Sequence, residues 1–376
     1  MGRISKSSNF VLPGVIFLTV IPIFLFLPRL LLSASAIEVK QTGRIVLSQE
    51  ATTLMAVESF VRTEDGVFIV PDYKDGNFKL YDEKGNLITV WGRRGPGPME
   101  FLSPRGSDYQ SKTLAVSDFS KQRIYIFKRT GRTNFEKITE FVYPVLDKFN
   151  PRLANGRIYI SGYAPVSDKE AYSLFSRDLQ TGELEYILPN WTKYGFSSFG
   201  QYDSKKNSVL SLGGAGFCDV LEDSIYFVWE GDLKILKIDG STKKWESFGY
   251  KTKNYRQPKV TTALEMAISV LSLEGMDTEF AKMSFVNAIF ADKGFVGVVF
   301  QNYDSKSSLW KMFLQLYTPS GEFITETPLQ DAVTYIDFRA GNSFYDRESH
   351  TLYYLSIRYD EKTSLDRYEI ISYKIE

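Results

Sequence analysis

After residue 40 the chain alternates short apolar runs with turns in a recurring unit, without a regular alternation of strands and helices. Six of the runs are almost continuously apolar over four to six residues. Such runs predict strands that are buried on both faces. The six runs cover residues 66–70, 113–116, 157–160, 224–228, 294–299 and 351–355.

The first five runs each lead, through one further strand, to a turn that contains glycine. The turn glycines are Gly85, Gly131, Gly182, Gly240 and Gly321, and their spacings are 46, 51, 58 and 81 residues. A period near 40 to 50 residues with about four strands per repeat is typical of β-propeller blades. The longer intervals need only loop insertions, so we interpret the repeat as a propeller.

The sixth copy of the repeat is incomplete. Its third strand, residues 368–374, ends just before the last residue, Glu376, so its fourth strand must come from elsewhere. The otherwise unassigned strand at 43–48 has the right length, and pairing it there would close the ring and remove an open edge. We therefore predict one all-β domain from 38 to 376, a six-bladed β-propeller. A five-bladed ring with an extra sheet is the rival interpretation.

One segment of the first unit carries a family resemblance. The stretch VWGRRGPGPMEFLSP, residues 90–104, resembles the link G-x-x-G-x-G-P-G-E-F-x-x-P of six-bladed propellers of the NHL-repeat and TolB-like kind, although Pro98 and Met99 displace the pattern by one position. Only residues 66–104 match well. The resemblance implies the fold, and it implies export or membrane association with a role in protein or ligand binding. Some relatives are metal-dependent hydrolases or lyases, but a shared fold does not transfer function.

Residues 1–36 predict a hydrophobic helix that directs the chain out of the cytoplasm. Between Lys6 and Arg29, 22 residues carry no charge, and a helix of that length crosses about 30 Å of hydrocarbon. The positive charge before it predicts that the propeller lies on the outer, periplasmic or extracellular side. Ala34-Ser35-Ala36 fits a signal peptidase site. An uncleaved membrane anchor and a signal peptide removed near Ala36 therefore both stay open.

Composition removes several function classes. The chain has 45 basic and 45 acidic residues, one His and one Cys. This balance lacks the basic excess that nucleic-acid binding requires, so we expect no nucleic-acid partner. A single His and a single Cys exclude multi-histidine metal sites, thiolate clusters and an intrachain disulfide. We expect a buried, apolar environment for Cys218, no catalytic role for His350, and no cofactor.

The long insertions predict where binding takes place. Residues 190–207 and 250–284 lie in connections that emerge on one face of a propeller, opposite the loop that carries His350. The region 260–284 predicts a helix with Thr261 and Thr262 at its start, an apolar stripe, and Gly275 at its end. Long loops on a rigid scaffold commonly carry function. The helix either docks a partner or packs on the propeller and plugs its channel.

Candidate binding residues lie on that same face. Arg93 and Arg94, with Arg105 nearby, have the chemistry to hold a carboxylate or phosphate by forked hydrogen bonds, or they make structural contacts with the next blade. Tyr and Trp dominate interface hot spots, and an aromatic platform is the other candidate. The remaining candidates are Trp191, Tyr194, Trp229, Tyr255 and Arg256.

Two carboxylates give a candidate metal site. Asp72 and Asp118 end equivalent strands of the first two blades, which we expect at the channel mouth. Oxygen ligands of this kind suit a hard cation. The alternative is turn chemistry that repeats from blade to blade.

The leading functional hypothesis is a non-catalytic exported or membrane-anchored propeller. It would bind a protein partner as an accessory or scaffold subunit of a membrane-associated complex. This hypothesis depends on the N-terminal segment, the loop placement and the lack of a catalytic motif in the sequence. The alternatives are a metal-dependent hydrolase or lyase, and a small-ligand or glycan binder.

Overall fold

The six apolar runs each contribute to the second strand of a four-stranded antiparallel sheet in the computed structural model. Six such sheets follow one another along the chain, and the fold is an all-β six-bladed propeller. In each blade another strand, the first, lies between the apolar run and the propeller axis, so the apolar runs are not the innermost strands. The structure describes residues 37–143, 150–167, 170–189, 202–203, 208–209, 216–258, 273–304, 306–307, 309–329, 343–360 and 365–376.

The strands are numbered in chain order, and each blade runs from its first, inner strand to its fourth, outer strand. Strand β1 (Val39–Val46) precedes blade 1, which comprises β2 (Val61–Arg62), β3 (Phe68–Asp72), β4 (Asn77–Tyr81) and β5 (Leu87–Trp91). After the short strands β6 (Arg93–Arg94) and β7 (Glu100–Phe101), blade 2 comprises β8 (Pro104–Gln110), β9 (Thr113–Asp118), β10 (Arg123–Arg129) and β11 (Phe135–Val142). Blade 3 comprises β12 (Asn150–Ala154), β13 (Arg157–Ser167), β14 (Glu170–Asp178) and β15 (Leu184–Pro189).

The second half of the chain repeats this plan. After the short pair β16 (Tyr202–Asp203) and β17 (Ser208–Val209), blade 4 comprises β18 (Gly216–Leu221), β19 (Ser224–Trp229), β20 (Ile235–Asp239) and β21 (Trp245–Phe248). Helix α1 (Leu273–Phe280) precedes blade 5, which comprises β22 (Ser284–Ala291), β23 (Val296–Asp304), β24 (Leu309–Tyr317) and β25 (Phe323–Pro328). Blade 6 comprises β26 (Ser343–Asp346), β27 (Thr351–Asp360) and β28 (Leu365–Ile375), with β1 as its fourth strand.

The core lies between neighbouring blades. Phe78 of blade 1, for example, shares one buried cluster with Phe127 of blade 2 and with Phe101 in the link between the blades, and the partly buried Trp91 packs against it. The Phe101 ring meets the Phe78 ring edge-on, with 4.9 Å between centroids. Aromatic pairs with this geometry add about 0.5–1.5 kcal/mol beyond the area that they bury. Packing of this kind requires apolar side chains on both faces of a strand, which explains the continuous apolar runs.

The closing strand pairs as the sequence predicts. Strand β1 runs antiparallel to β28, from the pair Val39 and Ile375 to the pair Val46 and Glu369. The turn of blade 1 also contacts this region, because the Ser48 amide donates to the Gly85 carbonyl at 2.8 Å. Gly85 has φ +85°, and a Cβ atom there would lie 2.0 Å from the Val46 carbonyl oxygen. Only glycine fits this position, which explains one of the repeated turn glycines.

Strand order defines two faces of the propeller. Turns between strands one and two, and between strands three and four, emerge on one side, which we call the hairpin face. Connections between strands two and three, and from blade to blade, emerge on the opposite side, which we call the connection face. Both predicted insertions, 190–207 and 250–284, belong to blade-to-blade connections.

The helical predictions have mixed outcomes. Helix α1 covers Leu273–Phe280 and contains Gly275, so the prediction that Gly275 ends the helix is wrong. Thr261, Thr262 and the predicted apolar stripe lie outside the described residues. The N-terminal segment 1–36 also lies outside them, and no helix within 37–376 that the structure describes is long and apolar enough to span a membrane.

Candidate functional site

Arg93 and Arg94 lie in a short loop whose shape is held by hydrogen bonds. Their strand, β6, pairs in parallel with β7, so that Arg93 is opposite Glu100 and Arg94 is opposite Phe101. Arg93 Nε donates to Glu100 Oε1 at 2.7 Å, and Glu100 Oε2 accepts the Gly97 amide at 2.7 Å. The Gly97 amide and Arg93 lower the pKa of Glu100 below its usual value. The Arg93 side chain nevertheless remains 80% exposed.

The surface around this loop combines cations with exposed methionines. Arg94 Nη1 donates to the Lys74 carbonyl, and the amides of Lys74 and Met55 both donate to Asp72. Lys74, Arg93 and Arg94 are exposed, as are Met55 and Met99. We call these five residues, Met55, Lys74, Arg93, Arg94 and Met99, the connection-face patch. Arginine and methionine are both enriched at protein interfaces.

Arg105 does not belong to this patch. Its guanidinium donates from Nη1 to Glu58 at 2.8 Å, and it lies over the rings of Tyr73 and Phe119. The distances to the two ring centroids are 4.5 and 5.1 Å. Arg105 is therefore engaged between blades, which matches the structural alternative that the sequence left open.

The predicted aromatic platform is corrected at two positions. Trp229 and Tyr255 are buried in the cores on either side of blade 4, and the Tyr255 hydroxyl donates to the Gly231 carbonyl at 3.1 Å. The Arg256 guanidinium donates to the carbonyls of Ala281 and Tyr303 and so ties the connection after blade 4 to blade 5. The other two candidates, Trp191 and Tyr194, lie outside the described residues.

Asp72 and Asp118 form the same turn in two blades. Asp72 accepts the amides of Met55 and Ala56 from the preceding link. Asp118 accepts the amides of Leu102 and Ser103 in the corresponding way. Both are fully buried at the ends of second strands on the connection face. This arrangement fits repeated turn chemistry, and the described part of the chain contains no group of three or more His, Cys, Asp and Glu side chains arranged to hold a metal ion.

A buried ion network that the sequence did not predict lies near the hairpin face. Arg152 donates from Nη1 to Asp108 at 2.9 Å and from Nε to Asp219 at 2.7 Å. The other oxygen of Asp219 accepts Arg347 Nη2 at 2.7 Å and the Ala291 amide at 2.7 Å. The network therefore links blades 2, 3, 4, 5 and 6 around the axis.

Three members of the network occupy one repeated position. Asp108, Arg152 and Asp219 each stand in a first strand, in the third residue pair from the hairpin turn. Burial raises the pKa of Asp108 above its ordinary value, even though Arg152 opposes this shift. Burial acts in the same direction on Asp219, but there the two arginines Arg152 and Arg347 outweigh it, and the pKa is lowered. Asp219 is therefore the carboxylate that both guanidinium groups hold in its ionised form.

His350 and Cys218 lie where the sequence predicts. His350 is in the β26–β27 turn on the hairpin face, with Nδ1 2.9 Å from Asp292 Oδ2, and the Tyr345 hydroxyl donates to that same oxygen at 2.6 Å. Burial would raise the pKa of Asp292, but the hydrogen bonds from Tyr345, the Lys293 amide and His350 lower it. Cys218 is buried in the core beside Asp219, and burial raises the pKa of its thiol.

Comparisons with known proteins establish the fold and no more. No protein-family model matches the chain, and no curated protein does. The structure is similar to that of a DUF4221 family member from Bacteroides vulgatus, with a TM-score of 0.63 and 13% identity over 91% of this chain and 99% of that one. It is also similar to a "putative exported protein" from Bacteroides fragilis, with a TM-score of 0.55 and 11% identity over 91% of this chain and 96% of that one.

A streptogramin B lyase is similar at a TM-score of 0.45 and 13% identity, over 90% of this chain and 98% of that one. The chain is thus a six-bladed β-propeller. Its resemblance to the NHL-repeat and TolB-like kind is not confirmed by these comparisons.

Proposed function

We propose that this protein is a non-catalytic propeller that acts outside the cytoplasm and binds a protein partner through its connection face. The connection-face patch is the observation that carries the proposal. It presents three cations and two methionine side chains on short, hydrogen-bonded loops. Because these loops are already ordered, binding would cost little conformational entropy.

The chemistry of the patch defines the partner. Lys74, Arg93 and Arg94 suit a protein surface with carboxylates, since guanidinium groups form forked hydrogen bonds with them. Met55 and Met99 supply flexible apolar contact beside those charges. The partner surface is therefore acidic, with apolar side chains beside its carboxylates. An accessory or scaffold role in a membrane-associated complex fits this picture.

Export is part of the same proposal. The charge and hydropathy of residues 1–36 favour an anchor or signal peptide with the propeller outside. The structural similarity to the "putative exported protein" from Bacteroides fragilis agrees with this location.

The test is affinity capture of the full-length chain from gently solubilised native membranes, followed by mass spectrometry. The wild type is compared with the double variant Arg93→Glu/Arg94→Glu. The matched control is Lys84→Glu/Arg132→Glu, which reverses two exposed cations in hairpin-face turns. We expect a stoichiometric partner that the wild type and the control retain and that the patch variant loses.

Two results would overturn the proposal. One is recovery of the free monomer alone after crosslinking, and the other is equal retention of the partner by both double variants. The same spectra report the N-terminus of the bait. Intact residues 1–36 would indicate an anchor, and a chain that begins at Ile37 would indicate cleavage during export.

A further inference from the structure

A cavity opens on the hairpin face, on the side opposite the connection-face patch. Its volume is about 670 Å³, and blades 1, 2, 3 and 6 contribute its walls. Small-molecule sites commonly have volumes of about 300–1,000 Å³. The cavity therefore has room for a ligand of about the size of a sugar.

The floor of the cavity is formed by members of the ion network, two arginines and one carboxylate. Arg152 and Arg347 line the cavity, and their side chains remain 17% and 28% exposed. Asp108, which binds Arg152, also lines the cavity but is only 5% exposed, and Asp219, which binds both arginines, is 1% exposed and is not part of the lining. Among the members of the network, a ligand that enters would therefore meet two partly exposed guanidinium groups and one almost fully buried carboxylate.

Each of these arginines keeps one nitrogen available. Arg152 uses Nε for Asp219 and Nη1 for Asp108, and Nη2 has no hydrogen-bond partner among residues that the structure describes. Arg347 uses Nε for the Ala291 carbonyl and Nη2 for Asp219 and the Val220 carbonyl, so within the described chain Nη1 has no partner either. The two guanidinium groups bind opposite oxygens of the Asp219 carboxylate, and both line the same cavity. Two cationic donors that line one cavity suit an anionic group with several oxygens.

The rim has a different chemistry from the floor. Glu64, Lys112 and Glu348 carry charges of both signs there, and Tyr109 and Phe344 add aromatic surface. Such a mixture suits hydroxyl groups, which donate and accept hydrogen bonds, on a compact polar body. The complementary ligand would thus have an anionic end against the floor and hydroxyl groups at the rim.

We propose that this cavity binds a small hydroxylated anion of sugar-acid or sugar-phosphate chemistry, with its charged group against Arg152 and Arg347. The site lies on the face opposite the partner-binding patch. A negative result for ligand binding in this cavity would therefore leave the proposed partner binding untouched, and the reverse also holds.

The experiment is isothermal titration calorimetry of the full chain in mild detergent. The three probes are D-glucuronate, glucose 6-phosphate and glucose, which differ only at the sixth carbon. We expect saturable binding of at least one anionic probe, about tenfold or more tighter than that of glucose, as one charge-assisted hydrogen bond would give. The preferred anion then distinguishes a carboxylate ligand from a phosphate ligand.

Variants identify the arginines as the cause. Arg347→Lys keeps a cation beside Asp219 but removes the second guanidinium branch, and we expect it to weaken anion binding about tenfold without changing the response to glucose. Lys84→Gln, in a turn outside the cavity, serves as the control and should bind as the wild type does. Thermal unfolding of each variant checks that it is folded. Equal binding of all three probes, no saturable anion binding, or unchanged binding by a folded Arg347→Lys variant would overturn the proposal.

Discussion

The two faces of the propeller use charge in opposite ways. Near the hairpin face, Asp108, Arg152, Asp219 and Arg347 pair their charges with one another and join blades that are far apart in the chain. On the connection face, Arg93 and Arg94 are exposed, and each is held by a contact within its own neighbourhood. The first arrangement joins the blades to one another, whereas the second leaves charged side chains on the surface.

This difference indicates which substitutions should affect folding and which should affect binding. A buried ion network contributes little net stability when it is complete, but loss of one member leaves another charge buried without a partner. Exposed ion pairs contribute about 0–1 kcal/mol because water and salt screen them. Removal of one charge should therefore lower the free energy of unfolding strongly in the ion network and only slightly on the connection face.

The largest effect is expected for Asp219→Ala. Two arginines and two backbone amides, those of Val220 and Ala291, would lose their acceptor. We expect the free energy of unfolding to fall by about 3–5 kcal/mol. Denaturation by guanidinium chloride, followed by tryptophan fluorescence, measures this change.

The control for that prediction is Asp223→Ala. Asp223 lies two residues beyond the strand that contains Asp219, but its side chain is exposed. We expect a change within about 0.5 kcal/mol for this variant. Equal losses for the two variants would show that the network does not hold the blades together.

The next largest loss of stability should differ between the two similar turns of the connection face. Asp72 also accepts a hydrogen bond from the buried Lys79 ammonium at 2.6 Å, whereas Lys121 in the corresponding turn of Asp118 donates to backbone carbonyls. We expect Asp72→Asn to cost about 2 kcal/mol and Asp118→Asn about 1 kcal/mol, because only the first weakens the neutralisation of a buried cation. The measurement is the denaturation midpoint of each variant.

The same pair of residues tests the metal alternative. If Asp72 and Asp118 only close turns, Ca²⁺ should leave the melting temperature of the wild type unchanged. Stabilisation by Ca²⁺ that either Asn substitution abolishes would instead support a metal site, since a ligand that binds only the folded state raises its stability.

The ring itself could be predicted from the sequence because its signals are local. Asp82, Asp178 and Asp239 each accept amide hydrogen bonds within their own third-to-fourth strand turn, and this chemistry recurs with the blade period. The closing strand followed from counting strands in the last repeat. Neither inference required knowledge of which blades contact each other through the axis.

The ion network could not be predicted in the same way. Its hydrogen bonds join residues that are 44, 67 and 128 positions apart in the chain. A partial signal existed, because Asp108, Arg152 and Asp219 repeat at one position of three successive first strands. Alignment of the first strands, rather than of the apolar second strands, would have shown it. Arg347 comes from a turn, and no repeat marks it.

A smaller effect is expected from acid at the hairpin turn of blade 1. Arg129 binds Asp65 through both terminal nitrogens, at 2.7 and 2.8 Å, and this contact lowers the pKa of Asp65 to about 2. Because the folded value lies below that of an unfolded chain, the contribution is complete above about pH 4 and is lost as the pH falls toward 2. Asp65 is 43% exposed, so we expect only about 1 kcal/mol after screening.

Urea denaturation at pH 5 and pH 2.5 measures this contribution. The variant Asp65→Asn should lose less stability over that interval than the wild type, because other carboxylates titrate equally in both proteins. An identical pH dependence of the two proteins would contradict the assignment.

The smallest effect on stability should come from the patch that we assign to partner binding. Arg93→Ala and Arg94→Ala remove exposed side chains, and we expect each to change the free energy of unfolding by less than about 0.5 kcal/mol. Glu100 retains the Gly97 amide as a donor after the first substitution, so the loop keeps one of its internal contacts. Denaturation midpoints, measured together with that of Asp219→Ala, would then show the smallest loss of stability for the patch and the largest for the ion network. A loss near 2 kcal/mol for either arginine would show that the patch supports the fold, and the capture experiment could no longer separate binding from folding.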